Sequence, residues 1–325
     1  MHHEPRTTWH RPLTVCAVAM AVLAVVGGIG LIVDPRTVMG EPVWLKPVKF
    51  ATSFGLYAIT LAWMIGNVTR WRRTLWWLGT VTVAGFVLPE ITAITFQAVR
   101  GVRSHFNFAT PLDETVFMVM GGAAYLGWAL TLALGVFLVR QRRLDKAMAW
   151  AIPLGVVISL AGMSVGYLMT APTPEQAQAL SSGLDLVTIG AHSVGALDGG
   201  SGLAVTGWAT GGGDLRVAHF VGLHALQVLP LIAVGLRRLV PVAGARVALV
   251  IVSALGYAGL TALLLWQAQR GQALVRPDAL TLGAAAALAA VVSLGVTVIM
   301  LVSRRAQAPR PVTTEPVLRS VSVLR

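Results

Sequence analysis

Five stretches of this chain, at 13–33, 115–139, 147–169, 247–269 and 279–302, contain no charged residue and are overwhelmingly apolar. At 1.5 Å of rise per residue each is long enough to cross about 30 Å of hydrocarbon as a helix. A soluble fold would have to bury all of them at once. Three further stretches, 47–68, 75–99 and 217–236, have the same length and grease with polar insertions. With 56% apolar and only 12% charged residues, the bilayer is the natural solvent for the rest of the chain too. The expected fold class is all-α: a polytopic transmembrane helix bundle of about eight spans.

Basic residues gather in cytoplasmic loops beside the spans. With eight spans and the N-terminus inside, seventeen of the 25 basic residues face the cytoplasm, in the N-tail, the clusters Arg70/Arg72/Arg73, Arg140/Arg142/Arg143/Lys146 and Arg237/Arg238/Arg246, and the C-tail. Of the thirteen acidic residues, nine fall outside, three inside, and Glu90 is left in the membrane. Both termini are therefore assigned to the cytoplasm. The net charge of +12 is a topology signal, split among short loops, and not the continuous basic face that nucleic acid requires. The lipid bilayer is the one partner the sequence implies, and nucleic acid is not expected.

The expected organisation is a cytoplasmic N-tail at 1–12, a single bundle at 13–303, and a disordered basic tail at 304–325. The first run is longer than a signal-peptide core and lacks a small-residue cleavage site, so it reads as a retained anchor. Cys16 is the only cysteine, which excludes disulfides within the chain and thiolate clusters built from it alone. Connections are short on the inside. On the outside, between spans five and six, lies a long glycine-rich loop at 170–214. It opens with Thr173-Pro174-Glu175-Gln176, a capping box that starts a short helix ended by Gly183, and then reads as a compact lid.

An ionisable side chain in a span is a functional-site hypothesis by default. Glu90, after Pro89, lies about 15 Å in from Arg100, and His224 lies about 12 Å in from Arg216. The two meet if the third and sixth spans are neighbours. Gln97 and His219 form a shallower layer, about 4.5 Å below the same boundary, and Gln227 shares a helical face with His224. These five residues are the candidate proton or ligand site, with a hydrogen-bonded strut between helices as the structural alternative. Pro89 and Pro230 free the carbonyls of Gly85 and Leu226 beside it. Gly162 and Gly166 are a small-residue pair suited to close helix packing. Thr110 and Asp113 read as a helix cap and a dipole partner. Lys46 and Lys49 read as side chains snorkelling to the outer interface.

His219, His224 and His105 are the candidate ligands for haem or a metal ion. Arg100, Arg103 and Arg216 are candidates for an anion or propionate clamp. No His-x-x-x-His, His-Glu-x-x-His or His-x-x-His-His pattern occurs, which argues against zinc proteases and di-iron lipid enzymes.

The segments WLKPVKF at 44–50, RGVRSHFN at 100–107 and GGDLRVAHFVGLHALQ at 212–227 resemble those of uncharacterised bacterial multi-pass membrane proteins. That resemblance implies a bacterial cell (cytoplasmic) membrane and carries no activity. Haem or metal binding, with or without electron transfer, uses most of the histidines and arginines and is the leading expectation. A proton-coupled small-solute transporter is the alternative, followed by a structural or assembly role and by an enzyme acting on a lipid-linked or periplasmic substrate.

Overall fold

The computed structural model describes residues 9–141 and 145–307. The N-tail up to residue 8, three residues of the Arg142/Arg143 loop, and the C-tail from 308 lie outside the described residues. In chain order the elements are α1 (Arg11–Val33), a hairpin of β1 (Thr37–Val38) and β2 (Glu41–Pro42), α2 (Leu45–Gly66), α3 (Arg72–Thr82), a π turn (Val83–Val87) and α4 (Leu88–Arg100). Next come α5 (Pro111–Val139), α6 (Lys146–Thr170), α7 (Pro174–Ser181), β3 (Ser193–Val194), β4 (Gly213–Asp214), α8 (Leu215–Leu223), α9 (Ala225–Leu239), α10 (Ala243–Gln269) and α11 (Ala279–Gln307). Seven helices among the described residues are long and apolar enough to cross a bilayer, with α3, the π turn and α4 taken as one; α8 and α9 together make an eighth, bent span. The protein is an all-α, polytopic membrane bundle.

Lipid cannot drive helices together by the hydrophobic effect, so close packing must. α1 lies against α2 because Gly27 and Gly30 leave room for Val48 and Trp44, and a Cβ on Gly30 would sit 2.6 Å from the Trp44 ring. The α1–α2 corner is pinned where Trp44 Nε1 donates to Asp34 at 2.9 Å. α6 is central, packing on α5, α8, α9 and α10. Its closest crossing is with α8, where a Cβ on Gly162 would meet the backbone of Gly222 and Leu223. α11 packs along α10 at the edge of the bundle.

Two spans depart from regular helices, both near prolines. In the third, Leu88 N–H bonds Val83 C=O, five residues back, so the helix widens by one residue just before Pro89 and Glu90. The sixth is not the continuous 217–236 helix expected from hydropathy: it breaks at His224 with a 43° bend. A break at membrane depth is tolerated when protein groups satisfy the freed backbone. Tyr257 Oη donates to Val221 C=O at 2.7 Å and Ser159 Oγ to Leu223 C=O at 2.8 Å.

The long outer loop folds compactly over the bundle. α7 has both halves of its capping box, from Thr173 and Gln176, and Gly183 follows with φ +76. β3 pairs with β4, Asn107 bridges Thr188, and Arg103 donates to Thr188 Oγ1 at 2.8 Å. Lys49 Nζ donates to Thr206 C=O at 2.8 Å and Arg216 to Gly207 C=O at 2.7 Å, which ties the glycine-rich segment to the starts of α2 and α8.

Candidate functional site

One face of α2 organises the outer half. Lys46, Lys49, Ser53 and Tyr57 follow at spacings of three and four, so they stack along one side of the helix. Each meets a different element. Lys46 Nζ lies 3.1 Å from His105 Nδ1 in the 101–110 loop. Lys49 lies 3.4 Å from Glu41 of β2. Ser53 Oγ lies 3.4 Å from His224 Nε2 at the break of the sixth span. Tyr57 Oη and Thr131 Oγ1 of α5 are 2.8 Å apart. Aromatic rings fill the space between: Phe54 packs edge-on against Phe86 at 5.3 Å, and Phe50 lies 6.0 Å from the His105 ring.

Glu90 belongs to this face. α2 and α4 run in opposite directions, so with Phe54 opposite Phe86 the residues one turn outward, Phe50 and Glu90, occupy the same level. Lys46 is one turn further out, and its positive field reaches Glu90. Glu90 is 4% exposed and makes no hydrogen bond among the described residues. Lys46 has no carboxylate at ion-pair distance among them either. A largely buried carboxyl without a hydrogen-bond partner among the described residues, its oxygens not fully enclosed, below a lysine whose hydrogen-bond partner is an imidazole, is the feature of the bundle that packing alone does not explain.

The remaining candidates are distributed differently from the two layers expected. α2 packs against both α4 and α9, and α4 shares no extensive contact with α8 or α9. The inferred neighbourhood of the third and sixth spans is therefore corrected: the second span lies between them. Hydropathy locates spans along the chain and gives no information about lateral order, which is why arithmetic on depth paired them. Gln97 and His219 each bond other groups and not one another. Its amide donates to Asp113 at 2.9 Å and its carbonyl accepts from Arg100 at 2.5 Å, in a buried knot that Thr110 closes by donating to Asp113 at 2.7 Å. His219 Nδ1 instead faces Gly162 C=O at 2.8 Å. His224 and Gln227 meet as their spacing predicts, Nδ1 to Oε1 at 3.2 Å.

The three arginines differ in how far the chain already uses them. Arg100 is ion-paired with Asp113, and Arg216 with Asp214 at 2.7 Å and Glu41 at 3.3 Å. Arg103 reaches Thr188 and Met39 Sδ. In the loops, burial holds the His105 imidazole well below its ordinary value, and the charge on Lys46 adds to the effect. Burial lowers His192 as well, against its hydrogen bond to Asp198. Burial pushes the Asp198 carboxyl up, but hydrogen bonds from His192 and Ser193 outweigh it and keep Asp198 far below the usual carboxylate range. His192 Nδ1 lies 2.9 Å from Asp198 Oδ2.

Among the described residues no group of three or more His, Cys, Asp or Glu side chains is placed to hold a metal ion. Both ring nitrogens of His224 are engaged, by Ser53 and Gln227. Reading the sequence for residue types missed Lys46, Ser53 and Tyr57. The available signal was their shared helical face, obscured because a lysine near a span end is normally an interfacial anchor.

Fold and composition together define an integral, multi-pass membrane protein with a row of polar side chains along one face of its second span. No protein-family model, curated protein or solved structure matches the chain.

Proposed function

We propose that the protein is a proton-coupled carrier of small solutes in a bacterial cytoplasmic membrane, with Glu90 as the site where the proton is held. The observation that carries this reading is Glu90 itself, buried with no hydrogen-bond partner among the described residues and aligned with the polar face of α2. A packing strut would be hydrogen-bonded. A carboxyl that must gain and lose a proton is better left without a fixed donor, because any permanent donor would favour one state. Protonation removes a charge from an apolar interior, and deprotonation leaves that charge to the field of Lys46. Two states so different in electrostatics give a carrier something to couple to.

The irregular backbone beside the site supports the same reading. The π turn immediately precedes Glu90, the sixth span breaks at His224, and the outer loop caps the end of the bundle to which Lys46 and His105 belong. Interrupted helices next to polar residues suit carriers that rearrange about a site within the membrane. The excess of basic residues in the inner loops supports the cytoplasmic membrane.

Proteoliposomes loaded with a pH-sensitive dye and challenged with a panel of small organic solutes test this. The expected result is solute-driven proton movement in the wild type that is lost in Glu90→Gln. Proton movement of equal size in both would overturn the reading.

Haem binding is the second reading, favoured by His105 and His219, whose Nε2 atoms carry no hydrogen bond among the described residues. The arginines fit it poorly, because Arg100 and Arg216 are already paired with carboxylates. An absorption band near roughly 410 nm in protein purified from haem-replete cells decides for it, and colourless protein decides against it.

A further inference from the structure

The two ends of the break in the sixth span are finished differently. On the α8 side the freed carbonyls are satisfied within the bundle, Val221 by Tyr257 and Leu223 by Ser159. On the α9 side there is no side-chain cap at all. In this fifteen-residue helix Gln227 N–H already bonds His224 C=O at 3.0 Å, which leaves the N–H groups of Ala225 and Leu226 without a backbone partner, and a partial positive charge, at its first turn.

The side chains around that turn add donors and consume acceptors. Gln227 stands at the third position of α9, and a helical side chain leans toward its own N-terminus. Its Oε1 is used by His224 Nδ1 at 3.2 Å, whereas its Nε2 is buried with no partner. Gln227 as a whole is only 9% exposed, so water from the surface is a poor substitute. With Nδ1–H donating to Gln227, the other ring nitrogen of His224 is an acceptor, and the Ser53 hydroxyl at 3.4 Å takes it up. Gln227 Oε1 and Ser53 Oγ each have a partner already, whereas the groups with no partner, the Gln227 amide N–H and the helix start, are donors.

We propose that the first turn of α9, with Gln227 Nε2, binds a small monoanion, of which a carboxylate is the chemical class that fits best. Two divergent N–H directions suit the paired oxygens of a carboxylate. The lack of an oppositely charged group argues against a dianion: among the described residues no lysine or arginine hydrogen-bonds His224 or Gln227, and a doubly charged phosphate would be desolvated at this depth without a cation. The site is separate from Glu90 and is assayed without any proton gradient, so its failure and that of the carrier reading are distinguishable.

The test is titration of the purified full-length protein in detergent with 13C-acetate, followed by line broadening of the acetate signal. Saturable binding to the wild type is expected, weakened about tenfold or more in Gln227→Leu, as for loss of a hydrogen bond to a charged group. Gln227→Glu, nearly isosteric and of like charge to the ligand, is expected to lose binding as well. Gly121→Ala, where a Cβ would meet nothing within 4 Å, is expected to bind within about twofold of the wild type, a change too small to represent a lost charged hydrogen bond. Absence of saturable binding to the wild type overturns the proposal without reference to any variant. Wild-type affinity in both Gln227 variants, or loss of binding in Gly121→Ala, also overturns it.

Discussion

Ser53 Oγ of α2 lies 3.4 Å from His224 Nε2, at the point where the sixth span breaks. That contact places the second span between the carboxylate-bearing third span and the histidine-bearing sixth. Glu90 and His224 are thus linked through α2 and not by facing each other. The consequence is two polar centres on one helix: Lys46 with His105 near the surface, in electrostatic reach of Glu90, and Ser53 with His224 and Gln227 deeper in.

The crossing of α6 and α8 depends on the absence of a side chain. A Cβ on Gly162 would meet the backbone of Leu223 and Gly222, which cannot move aside as a side-chain tip can. Gly162→Ala is expected to lower stability by about 1–3 kcal/mol, the usual range for overpacking. Gly121→Ala in α5, where a Cβ would meet nothing within 4 Å, is expected to be neutral or to stabilise by up to about 1 kcal/mol. Thermal unfolding of both variants in detergent checks the contrast; equal effects would refute it.

Much of this was legible in the residues. Long uncharged runs and the inside bias of arginine give the class and the approximate spans, since both follow from transfer of each helix into lipid. The capping box at Thr173 and Gln176 and the cap at Thr110 are local and appear as expected. The break at His224 was not legible, because an apolar average over 217–236 hides a backbone interruption held by Ser159 and Tyr257, which are distant in sequence. Asp113 was seen as a dipole partner, but its burial with Gln97 and Arg100 depends on how α4 and α5 pack. Lateral order among spans is a property of side-chain fit between helices, and no periodicity within one helix encodes it.

Acidification is expected to loosen the outer loop. His105 and His192 are held below their ordinary value near 6.5, so a loop released from the bundle binds more protons than the docked one. Docking stability therefore falls as pH drops below about 6.5. Asp198, depressed in the folded state, adds a loss of the same sign once pH falls below about 3.8. Hydrogen exchange over 185–214, corrected for the intrinsic pH dependence of exchange, is expected to be faster at about pH 5 than at about pH 7.5. The opposite trend would contradict a partly buried His192 held below its ordinary value in the docked loop.

The knot of Arg100, Gln97 and Asp113 is expected to act as a unit. Asp113 is 2% exposed, so removing Arg100 strands a carboxylate. Arg100→Gln is expected to cost about 2–3 kcal/mol, at or below the low end for breaking a buried pair because Arg100 itself is partly exposed. Asp113→Asn in the same protein is expected to recover most of that loss. Additive losses in the double variant would mean that the two residues are not coupled.

The central claim is that Glu90 exchanges a proton, and infrared difference spectroscopy of the protein in lipid between high and low pH tests it most directly. The account predicts a carboxyl C=O band that grows on acidification, that is absent in Glu90→Gln, and that is altered when Lys46 is replaced by Met. A band that persists unchanged in Glu90→Gln, or no titrating carboxyl in the membrane-buried region, would contradict it.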